Sequence, residues 1–304
     1  MESCFKELEK KNYLICVPSR GRSDLITKKQ GLWKYVLSEP NVYSICVFVL
    51  EEELEEYGKV LGNRPISLRG LTNGHSIADK RQKMYEMAVA MKKEYLFIID
   101  DDVTFSFRNE NIASKYISKF EEVHNKDTFN RILLESVSLC NEKYPITGLP
   151  LRQSSNSAKY TFEKNKQLLH MQCYHVPTLI KEGIRHNGLG TKFMSDRYVQ
   201  MVMMSKGYNT LANYRYCIDD MGTNTKGGCS ITRNPKEQSE SAKTLYKLFP
   251  EIVRLKVKYN GNWSEPRYDC TIFLKKFLGK EEKSFIPKEE AFKMLKENGV
   301  SYEL

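Results

Sequence analysis

Short apolar runs alternate with amphipathic segments through roughly the first hundred residues, and this alternation constrains the fold more than any other feature of the chain. Residues 12–17 are apolar and run into the turn-rich Pro18-Ser19-Arg20-Gly21-Arg22. Residues 42–50 are almost continuously apolar, as suits a strand buried on both faces. Residues 65–68 and 95–99 read as two further strands. Between them, 23–37 reads as a helix capped by Ser23 and ended near Pro40, and 51–61 as a charged helix. The segment 76–93 reads as a third helix: Ser76 caps it, Asp79 sits three residues on, and Ile77, Met84, Met87, Ala88 and Met91 fall near one face. Strands separated by helices predict an α/β fold, a Rossmann-type, mostly parallel sheet flanked by helices with right-handed crossovers. Such sheets bind ligands beyond the carboxyl ends of their strands. The loops at 18–22, 50–53 and 100–102 are therefore the candidate site.

The second half is less regular. Residues 168–176 read as a strand, 193–206 as a helix with Asp196 in its first turn, and 208–218 as one or two strands. Residues 224–234, rich in Gly, Thr and Asn, read as a loop; 239–249 as a helix stopped by Pro250; and the tail as an apolar run from 268 with a short helix near 288–297. No repeat or linker divides the chain. One continuous domain with a C-terminal extension is expected.

At the end of the fourth strand, Tyr95-Leu96-Phe97-Ile98-Ile99 gives way to Asp100-Asp101-Asp102. Adjacent carboxylates repel, and a divalent cation removes the repulsion; hard oxygen donors suit Mg²⁺ or Mn²⁺. In a nucleotide site such a cation neutralises a diphosphate leaving group. If the chain stays extended, Asp100 and Asp102 share one side and Asp101 faces the other. A hydrated acidic loop is the plain alternative.

Charge is divided along the chain. Residues 151–304 hold 26 Lys and Arg against 16 Asp and Glu, whereas residues 1–150 hold 22 of each, so the net +10 lies in the second half. A neutral half joined to a basic one suggests that the basic half meets a polyanion, with a solvated basic surface as the alternative. None of the eight cysteines forms a Cys-x-x-Cys pair, which argues against structural zinc; several sit in apolar runs as buried thiols of a reducing compartment. No run approaches the roughly 18 apolar residues of a membrane span, and residues 1–11 are charged rather than signal-like, so an unexported cytoplasmic protein is expected, with no membrane association and no evident protein partner.

The strand ending in Val-Pro-Ser-Arg-Gly-Arg, the buried second strand, the helix carrying Asp79-Lys80-Arg81 and the run Phe-Ile-Ile-Asp-Asp-Asp together resemble the nucleotide-binding half of GT-A fold glycosyltransferases. The resemblance implies a glycosyltransferase domain over 1–220, with a donor half at about 12–105 and an acceptor half at about 165–220, and an extension over 221–304. It implies Asp102 as main metal ligand, Asp100 or Asp101 as the second carboxylate and the remaining one, taken as Asp101, as a ribose contact. Pro18, Ser19, Arg20 and Arg22 would line a uridine pocket, and Asp79 and Arg81 would approach the base or phosphates of a UDP-sugar. His186-Asn187-Gly188-Leu189-Gly190 followed by Phe193-Met194-Ser195-Asp196 is similar to the family's acidic motif at a helix head, which makes Asp196 the candidate general base; Ser195 stands where many members have Glu. The late metal-binding His of many members has no counterpart after His186, and Asp219 and Asp220 are substitutes. Lys226-Gly227-Gly228-Cys229 and Arg233, before a helix ending in Leu248-Phe249-Pro250, resemble the bacteriophage TET-associated branch, which implies a hydroxymethylated pyrimidine of phage DNA as acceptor.

His186, Arg215, Lys226, Gly228 and Arg233 are the candidate acceptor contacts, and Arg254, Lys256 and Lys258 further candidates for DNA phosphates. Trp33, Trp263 and the methionines of 194–204 read as packing residues, and His170 and His175 as strand residues facing opposite sides or the core. Two other functions fit the residues: a GT-A transferase acting on a glycan, lipid carrier or protein, and a non-catalytic nucleic-acid-binding protein.

Overall fold

The computed structural model describes residues 2–37, 43–72, 75–109, 120–156, 158–220, 227–231, 233–259 and 265–300. Trp263 and Lys226 lie outside them. The first four strands are β1 (Tyr13–Pro18), β2 (Ile45–Leu50), β3 (Ser67–Leu71) and β4 (Tyr95–Ile99). They stand side by side in the order β3-β2-β1-β4, all parallel. Every residue of β1 and β2 is buried. The reason lies in their alternation. Ile15, Val17, Val47 and Val49 join a core cluster with Trp33, Tyr57 and Leu133, while Leu14, Cys16, Cys46 and Phe48 join another with Met84, Tyr85 and Val199. Helices therefore cover both faces, as the continuous apolar runs require.

Nine strands follow: β5 (Thr104–Arg108), β6 (Phe120–Glu122), β7 (Ile146–Gly148), β8 (Phe162–Lys164), β9 (Met171–His175), β10 (Thr210–Asn213), β11 (Tyr216–Asp219), β12 (Val253–Lys258) and β13 (Arg267–Ile272). The main sheet continues from β4 as β9-β7-β10-β8. Here β9 runs antiparallel to β4, with Ile99 opposite Met171. The start of β9 is thereby brought to the carboxyl ends of β1 and β4. A small sheet, β11-β5-β6, grows from the aspartate turn, and Asp219 lies opposite Thr104. The expected 208–218 segment is thus two strands in two sheets.

Several elements differ from the sequence reading. The 23–37 helix is two short helices, Ser23–Lys28 and Trp33–Val36, with Arg22 rather than Ser23 at the cap position. Gly31 sits between them at φ +58°, and a Cβ there would come within 2.5 Å of the Asp101 carbonyl oxygen. The Leu32 N–H donates to that same carbonyl. The break lets the chain support the aspartate turn from below. The charged helix begins with a 3-10 turn, Glu51–Glu53, and continues as Leu54–Leu61. The third strand is Ser67–Leu71, shifted toward the C-terminus. The helix at Ile77–Ala90 has the expected Ser76–Asp79 capping box, but Met91 is 47% exposed, beyond its C-terminal end.

The C-terminal segment packs onto the same body. Helix Pro235–Leu248 starts earlier than expected because Asn234 caps it and Pro235 occupies its first turn. Ala242 and Leu245 of this helix, with Val253, Cys270 and Leu274, pack against Leu189, Phe193, Met201 and Met204. The last helix, Lys288–Glu297, buries Ala291 and Leu295 in the main core. Among the described residues no helix is long and apolar enough to cross a membrane.

Candidate functional site: an acidic turn in a basic cavity

Three aspartates leave β4 and each is met by a cation. The Asp100 N–H donates to the His170 carbonyl at 2.8 Å, and His170 Nδ1 lies 2.8 Å from Asp100 Oδ2. His170 Nε2 lies 3.4 Å from Asp220 Oδ2, so one ring spans two carboxylates. Asp101 is 1% exposed. It accepts the Ser19 hydroxyl and Arg22 Nη1, the latter at 2.8 Å, and Arg22 Nη1 is also 2.8 Å from Asp102 Oδ2. The Tyr57 hydroxyl fixes this corner, 2.7 Å from Ser19 Oγ and accepting the Arg22 N–H at 3.0 Å. Asp101 and Asp102 thus face the same guanidinium and Asp100 faces away. The alternation expected for extended chain fails because residues 101 and 102 form a turn.

This environment moves neighbouring groups in opposite directions. Burial pushes the Asp101 carboxyl up to about 7 against the pull of Arg22 and Ser19. Burial and the Asp100 charge raise Asp102. Burial also acts on Asp100, but the bond and charge of His170, with Arg81 and Arg22, outweigh it and hold Asp100 below the usual range. His170 is lifted to about 9: burial opposes its charge, and Asp100, Asp220 and Asp196 more than offset that. It is a cation at neutral pH.

The helix Ile77–Ala90 supplies one wall. Its first turns present Ser76, Ile77, Lys80 and Arg81 to a cavity of about 300 Å³. Lys80 Nζ donates to the Ser19 carbonyl at 3.1 Å, and burial lowers its pKa. Arg81 lies 3.6 Å from both Asp100 and Asp196 and donates to Ser195 Oγ at 3.3 Å. The facing wall is the head of helix Ser195–Ser205, where Met194 takes φ +66° and the Asp196 carboxylate accepts the Arg197 N–H at 2.9 Å. Gly227–Ser230 and Arg233 close the third side: the Gly228 N–H donates to the Arg20 carbonyl at 2.8 Å, and Arg233 lies over the Phe193 ring at 5.2 Å. Among the described residues Arg20, Lys80 and Arg233 line the cavity without a carboxylate partner. Three uncompensated cations beside a neutralised acidic turn make a seat for an anion.

Pro18, Ser19, Arg20, Arg22, Arg81, Asp100, Asp101, Asp102, Asp196, Gly228 and Arg233 are brought together around this one cavity. Three other candidates are not. Asp79 is committed to its helix cap, accepting from Ser76 Oγ at 2.7 Å and from Asn187 at 3.2 Å. His186 is 0% exposed and packs against Tyr85 and Tyr174, so it is a core residue. Arg215 pairs with the buried Glu135 at 2.9 Å, away from the cavity. Lys226 is outside the described residues. Asp219 is held by Arg152 at 2.8 Å, whereas Asp220 lines the cavity. Arg254, Lys256 and Lys258 lie on β12, and Lys258 is paired with Asp269 at 2.6 Å. Sequence reasoning missed His170 and Lys80. Nothing in the local sequence signals that β9 runs antiparallel, and that direction alone sets His170 against Asp100.

The donor chemistry of Asp100, Asp102 and Asp220, three carboxylates lining one cavity, fits a hard divalent cation. The side chains as placed are bridged by Arg22 and His170 instead, and among the described residues no three His, Cys, Asp or Glu groups stand as a ready ligand set. A cation would have to displace one of these bridges.

No family model matches the chain. It is 22% identical over 222 residues, 71% of its own length and 76% of the relative's, to a beta-glucosyl-HMC-alpha-glucosyl-transferase of Enterobacteria phage T6. It is 21% identical over 248 residues, 81% of its length and 82% of the relative's, to the protein of the same name from Enterobacteria phage T2. Among solved structures, a 4-diphosphocytidyl-2C-methyl-D-erythritolsynthase from Anaerococcus prevotii covers 67% of the chain and 86% of itself at 9% identity and TM-score 0.37. A cytidylyltransferase from Leptospira borgpetersenii covers 63% and 69% at 11% identity and TM-score 0.34. Those scores are too low to rest the fold on, which stands on the strand order above. The resemblance to phage glycosyltransferases extends over most of the chain's length.

Proposed function

We propose that the chain is a glycosyltransferase that moves a sugar from a nucleotide-sugar donor, UDP-linked, to a hydroxyl on a modified pyrimidine of phage DNA, in the cytoplasm of the infected host. The acceptor hydroxyl belongs to a 5-hydroxymethyl group or to a sugar already attached there. One observation carries the reading: the acidic turn, the uncompensated cations and Asp196 share one cavity at the carboxyl ends of β1 and β4. The similarity to phage glucosyl-transferases points the same way.

In this reading Arg20, Lys80 and Arg233 seat the diphosphate. Asp100 and Asp102, with Asp220 beside them, would hold Mn²⁺ or Mg²⁺, which when bound neutralises the departing diphosphate. Asp101, sealed against Ser19 and Arg22, orders the turn. The acceptor oxygen bonds to the anomeric carbon as the bond to the diphosphate breaks; the diphosphate leaves with the electron pair. Asp196 takes the acceptor's proton in an inverting reaction, and Arg81 orients its carboxylate.

Labelled UDP-sugars incubated with plain, hydroxymethylated and already glycosylated DNA test the proposal. Label is expected on modified DNA alone. Transfer solely to a glycan or lipid would reject the DNA acceptor, and binding of DNA without any donor turnover would leave a binding protein. Asp102→Asn is expected to abolish turnover in a folded protein, and Asp196→Asn to lower kcat by about 10²- to 10⁴-fold.

A further inference from the structure

Exposed aromatic rings are concentrated on one part of the surface. Among the described residues five are exposed, and four of them, Tyr246, Tyr259, Tyr268 and Phe273, belong to the helix Pro235–Leu248, the ribbon β12–β13 or the residues next to that ribbon. The ribbon shows how this arises. Its apolar face begins in the core, where Val253, Leu255, Cys270 and Ile272 pack with Ala242 and Leu245 of the helix. Further along the same face Val257 stands opposite Tyr268, and the two are 44% and 37% exposed. Tyr259, just past the end of β12, is 79% exposed. Clustered apolar groups left in water mark a contact surface.

The charge around these rings selects the partner. Residues 243–276 hold eight Lys and Arg against three Asp and Glu. One of those carboxylates, Asp269, is buried and held by Lys258 at 2.6 Å. Lys243 lies over the Tyr268 ring at 4.4 Å, and Arg254 and Lys276 lie over the Phe273 ring at 5.4 and 5.6 Å. Protein interfaces favour aromatic rings but are depleted of Lys. Duplex DNA would meet the cations, yet its base faces are stacked on one another and out of reach of the rings. A single strand offers both phosphates and open base faces. The surface also adjoins the candidate site: Arg197, next to Asp196, lies 3.8 Å from Asp269. A strand laid along the ribbon therefore leads to the cavity.

We propose that this surface binds single-stranded DNA, with the cations taking its phosphates and Tyr259 and Tyr268 stacking its unpaired bases. The proposal rests on DNA being the acceptor and adds the state in which that DNA is held: the strand carrying the modified base is opened beside the site. The cations serve a duplex as well, so the rings alone discriminate between the two forms.

Fluorescence anisotropy on the full chain, without donor, tests it with a labelled oligodeoxynucleotide of about 12 nucleotides, used alone and annealed to its complement. At about 200 mM KCl, where phosphate contacts are weakened, the single strand is expected to bind at least about tenfold more tightly than the duplex. Tyr259→Ala and Tyr268→Ala are each expected to weaken single-strand binding about tenfold and to leave duplex binding unchanged. Tyr259 faces solvent, so its removal leaves the core untouched and keeps the test valid if Tyr268→Ala fails to fold. Duplex binding as tight as that of the single strand, or wild-type binding in Tyr259→Ala together with any folded Tyr268→Ala, overturns the assignment. A dimer in sedimentation velocity that Tyr259→Ala dissociates also overturns it, and gives the rings to a second copy of the chain. The two failures are separable: sugar transfer solely to a glycan or lipid defeats the DNA reading, whereas transfer to modified DNA with strand binding unaltered in the variants defeats the ribbon surface alone.

Discussion

Three consecutive carboxylates are held together here because each faces a cation fixed by another segment: His170, just before β9, for Asp100, and Arg22 from the loop after β1 for both Asp101 and Asp102. Removing a partner from a buried pair strands the other charge, at about 3–5 kcal/mol. Arg22→Met is therefore expected to lower the stability measured by urea unfolding by about 3 kcal/mol. Adding Asp101→Asn should restore at least half of that loss; if the double variant is less stable than Arg22→Met, the guanidinium is not stabilising Asp101. His186 acts on stability in another way. Burial, with the charge of Arg81 beside it, depresses its pKa to about 3, Asp196 pulling weakly the other way, and Tyr85 and Tyr174 enclose the ring. Its unfolded value lies near 6.5, so between these values the unfolded chain holds a proton that the folded chain refuses, and stability falls as pH drops. Between pH 7 and 5 that loss approaches about 2 kcal/mol. His186→Phe should remove this component, seen as a smaller shift of the urea midpoint over the same pH interval. These residues also mark what the sequence could and could not reveal. The acidic run and the Pro18–Arg22 loop were readable because their chemistry is local. His186 looked equally functional, and only its complete burial shows otherwise.

At the scale of elements, legibility followed how much of each pattern was local. β1, β2 and β4 were plain because a strand buried on both faces writes an unbroken apolar run. The start of Ile77–Ala90 was plain because its cap is built from its own residues. The helix Lys126–Leu139 had no readable stripe, since it buries Asn130, Glu135, Ser136 and Ser138 beside its apolar residues, with Glu135 met by Asn213, Arg215 and Tyr216. The interruption of 23–37 was unreadable for a related reason: Gly31 answers to the backbone of Asp101, far along the chain. That contact makes a controlled prediction. Gly31 takes φ +58° and Gly183, just past a helix C-terminus, φ +63°, but a Cβ at Gly183 meets nothing within 4 Å, whereas at Gly31 it collides with backbone. Gly183→Ala should cost about 1 kcal/mol for its positive φ. Gly31→Ala should cost at least about twice that, and should also impair donor binding by displacing the aspartate turn. Equal midpoints for the two variants in thermal unfolding would remove Gly31 from its supporting role.

Taken whole, the molecule divides its charge as it divides its substrates under the proposed function. The neutral half supplies β1 to β4 and the acidic turn, with every carboxylate of the turn matched by a nearby cation. The basic half supplies Asp196, the helix Pro235–Leu248 and the ribbon β12–β13, whose Arg254 and Lys256 are exposed. A DNA acceptor must lay its backbone along protein surface while one modified base enters the site, and phosphate contacts give that binding a steep dependence on salt. With about four such contacts, affinity for plain duplex DNA should fall at least about a hundredfold between 50 and 200 mM KCl. Arg254 and Lys256 stand on the outward face of a strand, without a carboxylate partner among the described residues. Replacing both with Ala should reduce the slope of log affinity against log salt by about 2, measured by fluorescence anisotropy with plain duplex so that modified-base recognition does not contribute. A slope unchanged by the double substitution would take the ribbon out of the DNA path and leave phosphate binding to the cations around the cavity mouth.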